Sequence, residues 1–301
     1  MGIGRPIRET RTVAEVSAGD VKALRDSTGA GMMDCKRALA DAAGDVERAR
    51  ELLRERGLAK AGKRSGRETS EGSVVFASKA GRGVLIELGC ETDFVAKTPD
   101  FQGLASSIAQ GLLDAASVST VEGALALAMG GSTVDDVVKA AGAKMGENIQ
   151  LKRVAAIDVK GVTGGYVHGG GKLGVVVALE TGLSGDAIET VAKDVAMHVA
   201  AHDPTPIAVD RGDVPASVIE KERKILTNQA LESGKPANVV EKMVDGRMNK
   251  FFSENCLLAQ GFVKDPDTKI SDLLAKAGKA AGGTISVKSF VRFKLGEAAS
   301  E

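Results

Sequence analysis

One arrangement occurs twice in this chain and limits its fold more than any other feature. A short apolar strand, a glycine-bearing turn and a second apolar strand are followed by a helical stretch. In the first copy the strands are Val74-Val75-Phe76-Ala77 and Val84-Leu85-Ile86-Glu87-Leu88, joined through Ala80-Gly81-Arg82-Gly83, with a helix from about Asp100 to Ala116. In the second they are Gly165-Tyr166-Val167-His168 and Val175-Val176-Val177-Ala178-Leu179, joined through Gly169-Gly170-Gly171-Lys172, with a helix from about Gly185 to Ala201. Both contain Gly-Val-x-x-x-Leu after the turn, at Gly83–Leu88 and Gly174–Leu179. β-Branched runs bounded by turn residues read as hairpins. A hairpin plus helix, repeated, reads as a duplicated α+β unit. Between the copies the pattern predicts helices near Val121–Met129 and Val134–Lys144 and a strand near Ile149–Val159.

Aromatic residues make up only 3% of the 301 residues and Trp is absent, so the cores must be filled by Val, Ile, Leu, Ala and Met. Lys plus Arg and Asp plus Glu number 40 each, so no net field draws the chain to nucleic acid or to a membrane surface. No apolar run is long enough for a membrane span, and the N-terminus lacks the apolar stretch of a secretory signal. The three cysteines, Cys35, Cys90 and Cys256, form no CxxC pair, which argues against a disulfide framework or a zinc site and fits a reducing, cytoplasmic compartment. Arg5, Arg8 and Arg11 are interrupted by Glu9, and Glu15 follows. Residues 1–16 therefore read as an unstructured extension rather than a transit peptide.

Residues 17–57 read as three short helices. Ser17 caps the first, with Asp20 at capping-box spacing and Val21, Leu24 and Thr28 on one face. Met32, Met33, Cys35, Ala38 and Leu39 form the apolar side of the second, which Gly44 ends. Asp45 caps the third, where Val46, Ala49, Leu52 and Leu53 recur at helical spacing and Gly57 is the expected stop. So small a module has little core of its own and is expected to adhere to something else. Residues 58–71 carry Lys60, Lys63, Arg64 and Arg67 among Gly and Ser, and read as a basic, solvated linker. The first core unit then spans 72–160 and the second begins at 161–213. Residues 214–256 read as an antiparallel helical hairpin of coiled-coil type, with Val218/Ile219, Ile225/Leu226 and Ala230 on one seam. Gly234-Lys235-Pro236 breaks the chain, and Val240, Met243/Val244 and Phe251 return. Residues 257–301 rejoin the second unit through a helix at Ser271–Ala277 and a strand at Thr284–Phe293, then form the tail.

No catalytic set emerges. Gly169-Gly170-Gly171-Lys172 is followed by Leu173 and a strand, where a phosphate loop needs Ser or Thr and a helix. A tight β-turn explains it. His198 and His202 stand four apart on one helix with Asp203 next, but no third ligand or general base accompanies them, so no metal site is expected. No Ser-His-Asp or Cys-His pairing can be assigned. The informative segment is Cys90-Glu91-Thr92-Asp93-Phe94-Val95-Ala96-Lys97. It follows a strand, and the next helix cannot begin before about Thr98-Pro99. Asp93 and Phe94 are therefore expected on a loop at a sheet end, where the second copy has only Thr181-Gly182-Leu183. Two readings of Phe94 stay open: it covers its own core, or it serves a function added to one copy.

Thr92-Asp93-Phe94-Val95-Ala96-Lys97 resembles the signature segment of the elongation factor Ts family. The resemblance includes Thr28-Gly29-Ala30-Gly31-Met32-Met33-Asp34-Cys35-Lys36, Gly146-Glu147-Asn148-Ile149, Ala196-Met197-His198-Val199-Ala200 and Ser233-Gly234-Lys235-Pro236. It continues through Glu241-Lys242-Met243-Val244, Gly246-Arg247-Met248 and Phe290-Val291-Arg292-Phe293. These matches fall in order over about residues 17–296.

The resemblance implies an α+β protein with an N-terminal three-helix ubiquitin-associated-like module, duplicated α+β core subdomains and a protruding antiparallel coiled-coil hairpin. It implies guanine nucleotide exchange on elongation factor Tu, bound in its GDP-bound and nucleotide-free forms, with no cofactor, no direct nucleic-acid contact and no membrane. Thr92, Asp93, Phe94 and Val95 would dislodge the partner's Mg²⁺, and Met32, Met33 and His198 would add contacts. Residues 1–16 precede the usual family start. The further C-terminal helix of many members has no counterpart before Glu301, so its contact is expected to be missing. The competing reading is an adaptor or scaffold whose ubiquitin-associated-type module binds peptides. It leaves Thr92–Val95 and the hairpin without a purpose. An enzyme ranks third.

Overall fold

The computed structural model describes residues 16–297 except 29, 65, 116–117 and 233–235, and gives no side-chain detail for 58–64. Residues 1–15 of the N-terminal extension, Gly29, Ser233 to Lys235 and the last residues of the chain lie outside that description.

Three helices open the chain: α1 (Ala18–Thr28), α2 (Met32–Asp41) and α3 (Val46–Arg64). Ser17 caps α1 by accepting from the Asp20 amide at 3.0 Å, and Asp45 accepts from the Arg48 amide at 3.0 Å. Their shared core is small: Val21, Leu24, Cys35, Ala38, Leu39 and Ala49. The expected stop at Gly57 is not used. α3 continues to Arg64, so the stretch read as a solvated linker is helical over its first half, and Thr69 beyond it is buried. A glycine inside a helix costs about 1 kcal/mol relative to alanine, which neighbouring helix formers and packing can offset. Here Gly57 faces a later helix so closely that an added Cβ would lie 3.5 Å from Ala143.

The first unit comprises β1 (Glu71–Lys79), β2 (Arg82–Cys90), a single turn α4 (Asp93–Ala96), α5 (Pro99–Asp114) and α6 (Val121–Ala126). A two-residue hairpin of β3 (Ala128–Met129) and β4 (Ser132–Thr133) follows, then α7 (Val134–Met145) and β5 (Gln150–Asp158). The second unit repeats the scheme with β6 (Gly161–His168), β7 (Leu173–Glu180) and α8 (Asp186–Ala201). Where the first unit has α6, the second carries a long helical pair, α9 (Ala216–Leu231) and α10 (Ala237–Asn255). It then closes with a hairpin of β8 (Gly261–Phe262) and β9 (Asp265–Lys269), α11 (Ile270–Ala280) and β10 (Ser286–Lys294).

The duplication thus extends beyond the strands and helix read from sequence. In both units a hairpin leads into a helix that reverses into the third strand. A Cβ at Gly142 would meet the Glu147 carbonyl oxygen at 2.8 Å, and one at Gly278 would meet that of Gly283 at 2.8 Å. The same tight return occurs in each copy, and both require a residue without a side chain.

Each unit forms a three-stranded antiparallel sheet, in the orders β1-β2-β5 and β10-β7-β6. The central strands alternate their side chains between two cores. Val84, Ile86 and Leu88 of β2 face α5, while Val175, Val177 and Leu179 of β7 face α8. Leu85 and Val176 point the other way, into a thin apolar layer with Val74 and Phe293 where the two sheets meet. The result is helix, sheet, sheet, helix. Close approach of the sheets depends on glycine: a Cβ at Gly165 would lie 2.3 Å from the Phe76 ring, and one at Gly174 would lie 2.5 Å from Val74.

α9 and α10 pack antiparallel, with Arg223 bonded to Asp245 at 3.0 Å and Arg247 to Gln229. Val218, Ile219, Leu226 and Ala230 contribute as read, but Ile225 is exposed. On the return, Met248 and Phe252 carry the seam with Val240 and Val244, four residues apart each time, so the apolar stripe is more regular than Met243 and Phe251 suggested. Among the described residues no helix is long and apolar enough to cross a membrane.

Candidate partner-binding site

β2, the central strand of its sheet, is buried along its whole length and ends at Cys90, so whatever follows is presented at the end of that sheet. Burial, aided by the Glu147 carboxylate nearby, pushes the Cys90 thiol up to about 12, so it stays protonated and inert. The expected loop is in fact one turn of helix, α4. Thr92 starts it: its Oγ1 accepts from the Val95 amide at 3.4 Å, and such a side-chain cap substitutes for the missing backbone partner. Thr98 then caps α5, accepting from the Phe101 amide at 3.3 Å and donating to the Val95 carbonyl at 2.8 Å. Val95 packs against the core of the first unit.

Between these anchors Phe94 projects outward and is 80% exposed, more than any other large apolar side chain among the described residues. A phenyl ring left in water at the tip of a doubly capped turn adds nothing to this protein's own core. Of the two readings of Phe94, the fold excludes core cover. Beside it, Asp93 accepts from Lys97 at 2.7 Å. That hydrogen bond, with the Lys97 charge and the more distant Lys172 adding to it, holds the Asp93 carboxyl below the usual carboxylate range. Lys172 comes from the Gly169–Lys172 turn, which joins β6 to β7 and pairs with Glu71. It is therefore a hairpin turn, and a strand rather than a phosphate-binding helix follows it.

The turn is also held from outside its own strand and helix. The Glu147 carboxylate accepts from the Glu91 amide at 3.0 Å, the Thr92 amide at 3.1 Å and the Thr92 hydroxyl at 2.5 Å. In return Glu91 accepts from the Asn148 amide at 2.6 Å. Sequence reasoning did not select Glu147 as a site residue. It stands over fifty positions away, and only its place in the Gly146–Ile149 match flagged it at all.

Met32 and Met33 lie in the first turn of α2, 51% and 65% exposed. Their module rests on the first unit chiefly through α3 and α7, with Arg54 3.7 Å from Asp136. A cleft of about 430 Å³ remains between them, bordered by Leu53, Arg54, Val137 and Ala140.

His198 is placed differently from expectation. It belongs to the buried side of α8 and is fully enclosed, so it cannot face a partner. Its Nε2 lies 3.0 Å from Gln260 Oε1, and its Nδ1 accepts from the Val263 amide at 3.3 Å. The helix period sets this: Val195, Ala196 and Val199 are buried, and His198 falls on the same stripe. Its ring is 4.7 Å from that of His202, yet among the described residues no group of three or more His, Cys, Asp or Glu is placed to hold a metal ion. Burial pushes the His198 imidazole down to about 4, against the raising effect of Gln260 and with a small lowering effect from His202. An unfolded chain protonates this residue near 6.5, so between about 6.5 and 4 only the unfolded state gains the proton. Stability should therefore fall as pH drops through that window, by up to about 3 kcal/mol, and this contribution should level off below it. A ring-proton titration showing His198 ionising near 6.5 would refute this.

The elongation factor TS family model matches residues 91–297, beginning one residue before Thr92. The chain belongs to the elongation factor Ts family. The elongation factor Ts of Chlorobium phaeobacteroides is 47% identical over 291 residues, covering 94% of this chain and 100% of that protein. That of Sphingopyxis alaskensis is 46% identical, covering 95% of this chain and 94% of its own length. That of Aquifex aeolicus is 42% identical, over 93% and 98%. The family match encloses the Phe94 turn, the Glu147 contact and both long hairpin helices, and overlaps of this length also take in most of the N-terminal helices.

Proposed function

We propose that this elongation factor Ts family member is a guanine nucleotide exchange factor for elongation factor Tu, acting in translation elongation by binding alone. The observation that carries the reading is Phe94, an exposed ring on a turn fixed at both ends. Burying a whole Phe side chain releases about 1.5–3 kcal/mol. If the pocket that receives it opens only when the partner's helices shift, that free energy is coupled to the shift. Mg²⁺ neutralises phosphate charge in a bound nucleoside diphosphate. A shift that dislodges Mg²⁺ therefore weakens GDP. Coupling is reciprocal, so nucleotide with Mg²⁺ weakens this chain's grip equally, and GTP completes the cycle. Asp93, held ionised by Lys97, supplies a charge beside the wedge. Thr92 and Val95 hold it in place.

No bond is made or broken in this scheme, so the chain needs neither a catalytic residue nor a cofactor. The three N-terminal helices act as a ubiquitin-associated-like module that adds grip through Met32 and Met33. Their exposed sulfur-bearing side chains suit an adaptable apolar contact. The adaptor reading gains no support, because it leaves the Phe94 turn unused. Release of fluorescent GDP from elongation factor Tu tests both parts. Substoichiometric full-length chain should accelerate release with no nucleotide hydrolysed. A chain lacking residues 1–64, and so all of α3, should need a concentration higher by about tenfold or more, yet reach a comparable limiting rate. Release at the intrinsic rate under saturating full-length chain would refute the exchange function. Equal half-saturation of the two chains would refute the module's role.

A further inference from the structure

The duplication supplies an internal comparison at the Phe94 turn. Aligning Gly83 with Gly174 places Thr92 opposite Leu183, and aligning Gly142 with Gly278 places Glu147 opposite Gly283. In both copies these two positions touch. In the second unit Leu183 folds inward, and a Cβ on Gly283 would lie only 3.0 Å from it. Leu183 packs against that unit's core, and Thr181 Oγ1 donates to the Thr284 carbonyl at 2.8 Å. The end of β7 is closed by an apolar side chain lying over a glycine. In the first unit the glycine is replaced by a half-buried glutamate, whose carboxylate captures two successive amides and a hydroxyl of the turn. Thr92, at the position of Leu183, is exposed instead of folded inward, and the Phe94 ring two residues on points out to solvent.

We propose that Glu147 is the positioning residue that holds the Thr92–Phe94 turn in its projecting form. The inference rests on the exchange reading for its functional consequence, but its structural content stands apart from that reading. A carboxylate that accepts several hydrogen bonds at once fixes a backbone more firmly than neutral partners do, because charge-assisted bonds are shorter and stronger. Glu91 reinforces the clasp by accepting from the Asn148 amide, with Arg67 Nη1 3.3 Å from the same carboxylate oxygen. The two loops are thus tied by two carboxylates acting in opposite directions. A wedge transmits force only when its base is rigid. Without Glu147 the Thr92 cap would remain, but the chain entering α4 would lose its external hold.

Two measurements test this on the full-length chain. In the free protein, Glu147→Ala should raise amide hydrogen exchange at Glu91 and Thr92 by about tenfold or more, leaving the β1–β2 ladder protected. With elongation factor Tu carrying fluorescent GDP, the same change should lower the limiting release rate by about tenfold. In a Phe94→Ala background it should lower the rate by less than about twofold, because a residue acting through Phe94 has nothing left to position. Glu147→Gln, which keeps one acceptor oxygen, should fall between parent and Glu147→Ala. Unchanged amide protection, or the same fold-loss with and without Phe94, would overturn the proposal. Raised amide exchange together with a Phe94→Ala variant that releases GDP normally would uphold the clasp and remove the wedge reading instead.

Discussion

Phe94→Ala should fold as well as the parent and release GDP far more slowly. The side chain is 80% exposed, and substitutions at such positions change stability by less than about 0.5 kcal/mol. For a chain of this size the melting temperature should stay within about 2 °C. The limiting rate of GDP release from elongation factor Tu should drop by about tenfold to a hundredfold, the equivalent of the burial free energy of one phenyl ring. Asp93→Ala should fall less, since an exposed carboxylate already paired with Lys97 contributes mainly charge that water and salt screen. Melting and release measured on the same preparation test the wedge. A drop of about 3 kcal/mol or more in stability with normal release would return Phe94 to the core.

Glu87→Ala should have the opposite profile, a large loss of stability with the Phe94 turn still intact in the folded molecules. Glu87 points into the seam between the two sheets and is 1% exposed. It accepts from Arg153 Nε at 2.6 Å and from the Gly296 amide at 3.2 Å. Arg153 in turn donates to the Lys294 carbonyl at 2.6 Å and lies 4.3 Å over the Phe293 ring. One ion pair in the first unit thereby fastens the last strand of the second. Removing the carboxylate leaves a largely buried guanidinium without its counter-ion, which costs up to about 3–5 kcal/mol. Replacing both partners by apolar residues, Glu87→Leu with Arg153→Met, should recover most of that, because no charge is then left without a counter-ion. Urea midpoints of the single and double variants read this directly. A cost below about 1 kcal/mol for Glu87→Ala would mean that water already screens the pair.

Much of this protein is legible along the chain because its signals are local. Strand–turn–strand periodicity located β1–β2 and β6–β7, caps at Ser17 and Asp45 marked helix starts, and Pro99 bounded the turn that carries Phe94. Errors arose where a local signal met a distant neighbour. Gly57 looked like a stop, but α7 packs against it and the helix runs on. The Asp93–Ala96 turn looked irregular, but a threonine cap winds it. His198 carried a family match, yet helix period and the Gln260 contact draw it inside. The β8–β9 hairpin, two residues against five, is too short to leave a periodic trace.

By itself the sequence determined the duplicated α+β units, the helical pair, the family and the place of Phe94 between a strand end and a Pro-limited helix start, because periodicity, capping and motif order are written in adjacent residues; that its ring is exposed was decided by the fold. Only the tertiary structure decided that the two sheets pack through Leu85 and Val176, that Glu87 and Arg153 tie the units together, and that Glu147 clasps the turn beneath Phe94. Each of those pairings joins residues from separate elements, and which of many carboxylates meets which amide is settled by the approach of folded surfaces rather than by spacing along the chain.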